Sequence, residues 1–164
     1  MTSPPPSTCA SCSCRTTGGV CGTGGGGGCV AQGTPILTDH GYVPVQSLKS
    51  GDVLMTYDLQ TGQLVNVHVL SITMTWDSSL VSINNGALLL TSSDQPIYLQ
   101  NSSYTGWERN PQNLKVGDSI FDPMHNQWVQ VFSVQPIHDN TRVYDIVDDG
   151  PKTFIANGYL TLDK

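Results

Sequence analysis

Leu48-Lys-Ser-Gly-Asp-Val-Leu-Met55 recurs sixty-six residues later as Leu114-Lys-Val-Gly-Asp-Ser-Ile-Phe121. Behind each copy comes a polar turn and then a second apolar stretch, Gln63-Leu-Val-Asn-Val67 in one case and Gln127-Trp-Val-Gln-Val131 in the other. Each half thus offers the same device: a turn with Gly and Asp, a strand, a hairpin and a return strand. Two such copies predict a pseudo-twofold β domain whose halves share one core. Outward from the repeat, Val65-Asn-Val-His-Val-Leu-Ser-Ile72 nearly alternates and carries β-branched residues at the right places. Short strands are predicted at 88–90, 96–99, 128–134, 143–147 and 153–155. Turn signals separate them: Gln60-Thr-Gly-Gln63, Asn84-Asn-Gly86, Met124-His-Asn-Gln127 and Asp148-Asp-Gly-Pro151. No window gives a helical period, so the fold class read from the chain is all-β.

Composition agrees with that class. Of 164 residues, 38% are hydrophobic and only 12% charged, which is too apolar for a wholly disordered chain. Of the 13 acidic residues all but Glu108 are Asp, and a chain that avoids Glu while using Thr, Val, Asn and Gly avoids helix. The formal charge is −6 and the seven Lys and Arg are scattered singly, so the footprint of a nucleic-acid binder is absent. No apolar run is long enough for a membrane span. Nothing in the sequence assigns a compartment.

Residues 1–28 are a different material. Eight of the 17 glycines lie there, and Met1 and Val20 are the large apolar side chains. Such a stretch buries too little to offset its ordering entropy, so a flexible tail is expected, with the folded domain over 29–164. Cys9, Cys12, Cys14 and Cys21 interrupt the tail, and three readings stand beside one another: a zinc site begun by C-x2-C, a pair of small disulfides, or no fixed state.

From Cys29 the chain resembles a known family. Cys29-Val-Ala-Gln-Gly-Thr-Pro-Ile-Leu-Thr38, Gly41-Tyr-Val-Pro-Val45 and Leu48-Lys-Ser-Gly-Asp-Val53 look like the opening block of a Hint domain, the self-processing module of inteins, bacterial intein-like domains and Hedgehog proteins. Leu90-Thr-Ser-Ser-Asp-Gln-Pro-Ile97 resembles that family's T-x-x-H block. Val143-Tyr-Asp-Ile-Val147 and Thr153-Phe-Ile-Ala-Asn-Gly-Tyr-Leu160 resemble its closing blocks. The resemblance implies a pseudo-symmetric all-β horseshoe of two β subdomains, with no cofactor or metal. It also implies that the reacting partner is the flanking polypeptide in cis, with water or a small nucleophile as acyl acceptor.

The resemblance further implies that Cys29 is the nucleophile of an N-to-S acyl shift at the Gly28–Cys29 peptide. Sulfur suits this step because it is strongly nucleophilic near neutral pH. Asp145 stands at the position of the family's acidic residue, where it activates the nucleophile or relays a proton. Aligned on Pro96-Ile97, Ser92 takes the Thr position of the T-x-x-H block and Gln95 the His position; a second register uses Thr91 and Asp94. Neither supplies a histidine, and Gln95 can hydrogen-bond but cannot act as an acid. Asp163 stands where inteins end in a cyclising Asn, Leu162 replaces the assisting His, and Lys164 cannot accept a transferred chain. The expected activity is therefore single-turnover self-cleavage or transfer at Cys29 rather than full splicing. The alternative is a degenerate Hint fold used as a structural or interaction module, its tail clipped by metal or disulfide. His40, His68, His125 and His138 fall outside the motifs and are expected at the surface or in turns. Lys152 stands where many members have a His, and its bland reading is a solvated side chain.

Overall fold

The computed structural model describes residues 29–163. The expectations for the tail, including the state of Cys9, Cys12, Cys14 and Cys21 and the boundary at residue 28, lie outside the described residues. Fifteen strands follow in chain order: β1 (Cys29–Ala31), β2 (Pro35–Thr38), β3 (Gly41–Pro44), β4 (Val53–Asp58), β5 (Gln63–Asp77), β6 (Leu80–Ile83), β7 (Leu88–Thr91), β8 (Ile97–Asn101), β9 (Tyr104–Glu108), β10 (Ser119–Asp122), β11 (Gln127–Gln130), β12 (Val134–Ile137), β13 (Thr141–Asp148), β14 (Thr153–Ala156) and β15 (Tyr159–Leu162). Among the described residues the helical segments are two single 3-10 turns, Val45–Ser47 and Pro111–Asn113. Among the described residues no helix is long and apolar enough to cross a membrane.

Those two turns deliver the chain into the two copies of the repeat, and the copies are built alike bond for bond. The Asp52 carboxylate accepts from Lys49 N–H at 2.8 Å, and the Asp118 carboxylate accepts from Lys115 N–H at 2.9 Å. Gly51 N–H donates to the Val69 carbonyl and Gly117 N–H to the Val131 carbonyl; Val69 and Val131 N–H return the bond to Asp52 and Asp118. Both glycines need positive φ, +94° and +104°, which is the reason for glycine there. Equivalent positions are buried together: Val45 and Pro111, Leu48 and Leu114, Leu54 and Ile120. Most of them join one cluster with Ile36, Ile97, Ile146 and Phe154. Burying each such side chain stabilises by about 1.5–3 kcal/mol, so the halves hold each other.

β5 is the member the halves share. Over Gln63–His68 it pairs with β4, and from Val69 to Asp77 it pairs with β13. β13 passes the sheet to β1, and β1 passes it to β7. On the other side β14 joins β15, and β15 meets β8. The termini of the domain, β1 and the end of β15, are thereby set in the interior of the strand order rather than at its edges.

Some strand expectations need correction. The stretch 128–134 is not one strand: Val131 N–H turns to the Asp118 carbonyl and Phe132 N–H to Asn84 Oδ1, which separates β11 from β12. The strand expected from 96 begins at Ile97, since Pro96 has no N–H to offer a ladder. β5 runs well beyond the alternating stretch, and β1, β2, β3, β6, β9 and β15 are strands that the sequence reading does not include.

Candidate functional site

Cys29 opens β1 and lies directly opposite Asp145 of β13 in an antiparallel ladder. Both are buried, Cys29 completely. Opposed residues in such a ladder stand about 4.5–5.5 Å apart at Cα, so the pairing brings together residues 116 positions apart in sequence. On the other flank of β1 the Val30–Leu90 pairing carries the ladder toward Thr91, the residue after Leu90. The cysteine is therefore flanked by β13 and by the β7 end that carries the T-x-x-H-like block. Cys29 is disulfide-bonded. The other cysteines of the chain, Cys9, Cys12, Cys14 and Cys21, lie outside the described residues.

The two registers of that block are placed differently. Thr91 is buried at the end of β7, and its hydroxyl donates to the Ser93 carbonyl at 3.2 Å. Ser92 lies past the strand, its hydroxyl paired with that of Ser79 at 2.8 Å. Thr91 thus holds the position in line with β1, while Ser92 ties the β6–β7 edge. Asp94 adopts φ +62° in the connection to β8. Gln95 is fully buried, and its amide donates to the Pro96 carbonyl at 3.0 Å and the Leu162 carbonyl at 3.2 Å. Its reach is to the C-terminal strand. Among the described residues Gln95 Oε1 has no hydrogen-bond donor.

Asp163 follows β15 and is buried. Its N–H donates to the Lys152 carbonyl at 2.7 Å, and its Oδ2 accepts the N–H of Asp148 at 2.9 Å. Asp148 ends β13 and is itself fully buried, and its Oδ2 and Asp163 Oδ1 meet no hydrogen-bond donor among the described residues. Its Oδ1 accepts from Gly150 and Lys152 N–H, at 2.9 and 3.3 Å, and closes the turn. Burial, followed by the charges of Asp148 and Asp145, pushes the Asp163 carboxyl up to about 8. Burial also raises Asp148, against the opposing pull of Gly150 N–H, the Asp163 side chain and Lys152.

Asp148 is the buried group that sequence reasoning missed. The turn signal Asp148-Asp-Gly-Pro151 was visible, but nothing in it said that the first Asp turns inward. Lys152 is not merely solvated: half-buried at φ +69°, it donates from Nζ to the Asp148 carbonyl at 2.7 Å. The histidines behave as surface groups. His40, His68 and His125 are exposed and face Asp39, Asp149 and Asp122 at 2.6, 3.3 and 2.8 Å, and His138 is exposed. Among the described residues no group of His, Cys, Asp or Glu is arranged to hold a metal.

No family model matches the chain, and no curated protein matches it. Solved structures do. The bacterial intein-like domain from Clostridium thermocellum is 23% identical, with a TM-score of 0.72 over 84% of this chain and 99% of that one. A DnaB intein from Synechocystis sp. PCC 6803 is 16% identical, with a TM-score of 0.68 over 83% and 98%. The gp41-1 intein is 18% identical, with a TM-score of 0.62 over 82% and 98%. Each match takes in nearly the whole of the other domain. Residues 29–163 have the Hint fold of inteins and bacterial intein-like domains.

Proposed function

We propose that this chain is an intein-like self-processing domain in which Cys29, once reduced, attacks the peptide bond that precedes it. The Sγ thiolate adds to the Gly28 carbonyl carbon, the C–N bond breaks, and the Cys29 nitrogen leaves with a proton as the free α-amine. The product is a thioester between Gly28 and Cys29. Water then yields a free Gly28 carboxylate, or an outside nucleophile takes the acyl group. Asp145, opposite Cys29, accepts the thiol proton or relays it to the leaving nitrogen, which needs a carboxyl within hydrogen-bond or one-water reach. Thr91 and Ser92 line the approach from β7, and Gln95 fixes the C-terminal strand beside it. Full splicing does not follow, because Leu162 offers no imidazole and Lys164 no hydroxyl or thiol acceptor.

The single observation that carries the reading is the Cys29–Asp145 pairing in the β1–β13 ladder, in a fold shared with inteins and a bacterial intein-like domain. A second reading is favoured by the disulfide at Cys29: a Hint fold kept as a structural module, with the cysteine serving as a clip. One experiment separates them. The full chain is reduced with a phosphine, which is not an acyl acceptor, and hydroxylamine is then added. Self-processing predicts release of residues 1–28 from the wild type and none from Cys29→Ala. A wild-type chain that is fully reduced yet stays intact for days supports the structural reading instead.

A further inference from the structure

We propose that the cleft between the β4–β5 turn and β9 is a binding site for a small organic ammonium ion. The charge of the guest pairs with Asp58, and its apolar body lies against Trp107. The site uses neither Cys29 nor the peptide bond before it, so it stands apart from the self-processing reading.

The cleft holds about 310 Å³ and is lined chiefly by Asp58, Leu59, Gln60, Trp107, Pro151 and Leu162. That volume lies at the lower end of the about 300–1,000 Å³ typical of small-molecule sites, and apolar walls with few polar groups are their usual lining. The main wall is built in advance. Trp107 packs edge-on against Tyr98 with ring centroids 5.0 Å apart, and Tyr98 in turn packs against Phe121 and Trp128. These rings come from β8, β9, β10 and β11, so the indole is fixed from several strands before any guest arrives. A wall already held in place costs little ordering entropy on binding. Indole is also the aromatic ring that attracts cations most strongly.

The charges select the sign of the guest. Half-buried Asp58 accepts Gln60 N–H on Oδ1 at 2.9 Å, which holds its carboxylate at the cleft. Among the described residues no Lys or Arg pairs with it; the ion pairs there join His40, His68 and His125 to other aspartates. Lys152, next to Pro151, has its Nζ committed to the Asp148 carbonyl at 2.7 Å. Glu108 and Arg109, which follow Trp107, carry opposite charges, and Glu108 Oε2 accepts from Asn110 N–H and Asn113 Nδ2 at 3.0 and 3.3 Å. The Asp58 charge therefore stands uncompensated beside the apolar wall. An anion would be repelled by it, and a neutral apolar molecule would strip its water without replacing it. An ammonium ion with an apolar body satisfies both surfaces, and the formal charge of −6 favours the approach of a cation.

The test titrates the full chain with phenethylammonium and follows the indole N–H signals by NMR, with Trp107→Phe assigning the one that belongs to Trp107. The expected result is a saturable shift of the Trp107 signal with a Kd of about 0.1–10 mM, the range of a ligand this small. Trp76, which lies under Arg142 on another face, serves as the control and should not move with that Kd. The neutral isostere 2-phenylethanol should bind about 5-fold or more weakly, and Asp58→Asn should weaken the ammonium by a similar factor while leaving the alcohol unchanged. No saturation at Trp107, equal affinity for the two probes, or a folded Asp58→Asn with wild-type affinity overturns the proposal. Should that variant not fold, the wild type decides through the probe pair and through salt. Affinity for the ammonium that does not fall between about 20 and about 300 mM salt also overturns it.

Discussion

Cys29 sits at a buried strand start with its sulfur already bonded, and that bond sets the order of events. A sulfur in a disulfide is no acyl nucleophile, since only the thiolate attacks. Hydroxylamine added to the oxidised chain should therefore release nothing, and the same reagent after phosphine reduction should release residues 1–28; electrophoresis under both conditions checks this. Release from the oxidised chain would mean that another group attacks. Of the residues named from the sequence, Cys29 and Asp145 were legible because each stands inside a motif with its own flanks. The placement of Thr91 and Ser92 was not, because one residue of slip reverses which face a side chain takes, and that register is set by the β1–β7 pairing.

The repeated turns show what a short element can specify. In each, an aspartate accepts a backbone N–H three residues back, and glycine supplies the left-handed step that brings its N–H to the return strand. Asp118 is the more buried of the two and also accepts from Asn101 Nδ2 at 3.2 Å. Asp118→Ala should cost about 2–3 kcal/mol in urea unfolding and Asp52→Ala less, since hydrogen bonds to a charged group are worth about 1.5–3 kcal/mol and exposure discounts them. The turn that carries Asp148 is tighter still. A Cβ on Gly150 would stand 2.2 Å from Val67 Cγ1, so Gly150→Ala must displace β5 or open the turn. A loss of about 1–3 kcal/mol is expected, with a lowered Asp163 pKa as its carboxyl gains water; chemical denaturation and carboxyl NMR titration read the two effects. The hairpins behind the repeat were legible because local pattern alone builds them. The inward side of Asp148-Asp-Gly-Pro151 was not, since its partner is Asp163, across β14 and β15.

Over the whole molecule, the pair ties stability to pH. The Asp163 carboxyl titrates near 8 in the folded chain and near 3.8 unfolded, so between those values the folded state holds a proton that the unfolded state has lost. Its contribution is complete below the unfolded value and disappears as pH rises through the folded one. Stability should fall from pH 5 to pH 7 by up to about 1.4 kcal/mol per unit and level off above the folded value. Asp163→Asn should flatten that slope in urea titrations at fixed pH. A slope unchanged by the substitution would place the proton elsewhere. The architecture itself was largely legible, because a sixty-six-residue repeat with matching turns admits few all-β solutions. What escaped is the long-range pairing: β5 serving both halves, and β1 set between β13 and β7. These are fixed by the shared core rather than by any local signal. The central claim is that the acyl group of Gly28 passes through the sulfur of Cys29. The mass of the released 1–28 fragment tests it most directly, after phosphine reduction in hydroxylamine. A hydroxamate on Gly28 is the predicted result, since a thioester is captured at that carbon. A fragment ending in the plain Gly28 carboxylate throughout, or the same hydroxamate from Cys29→Ala, would contradict the account.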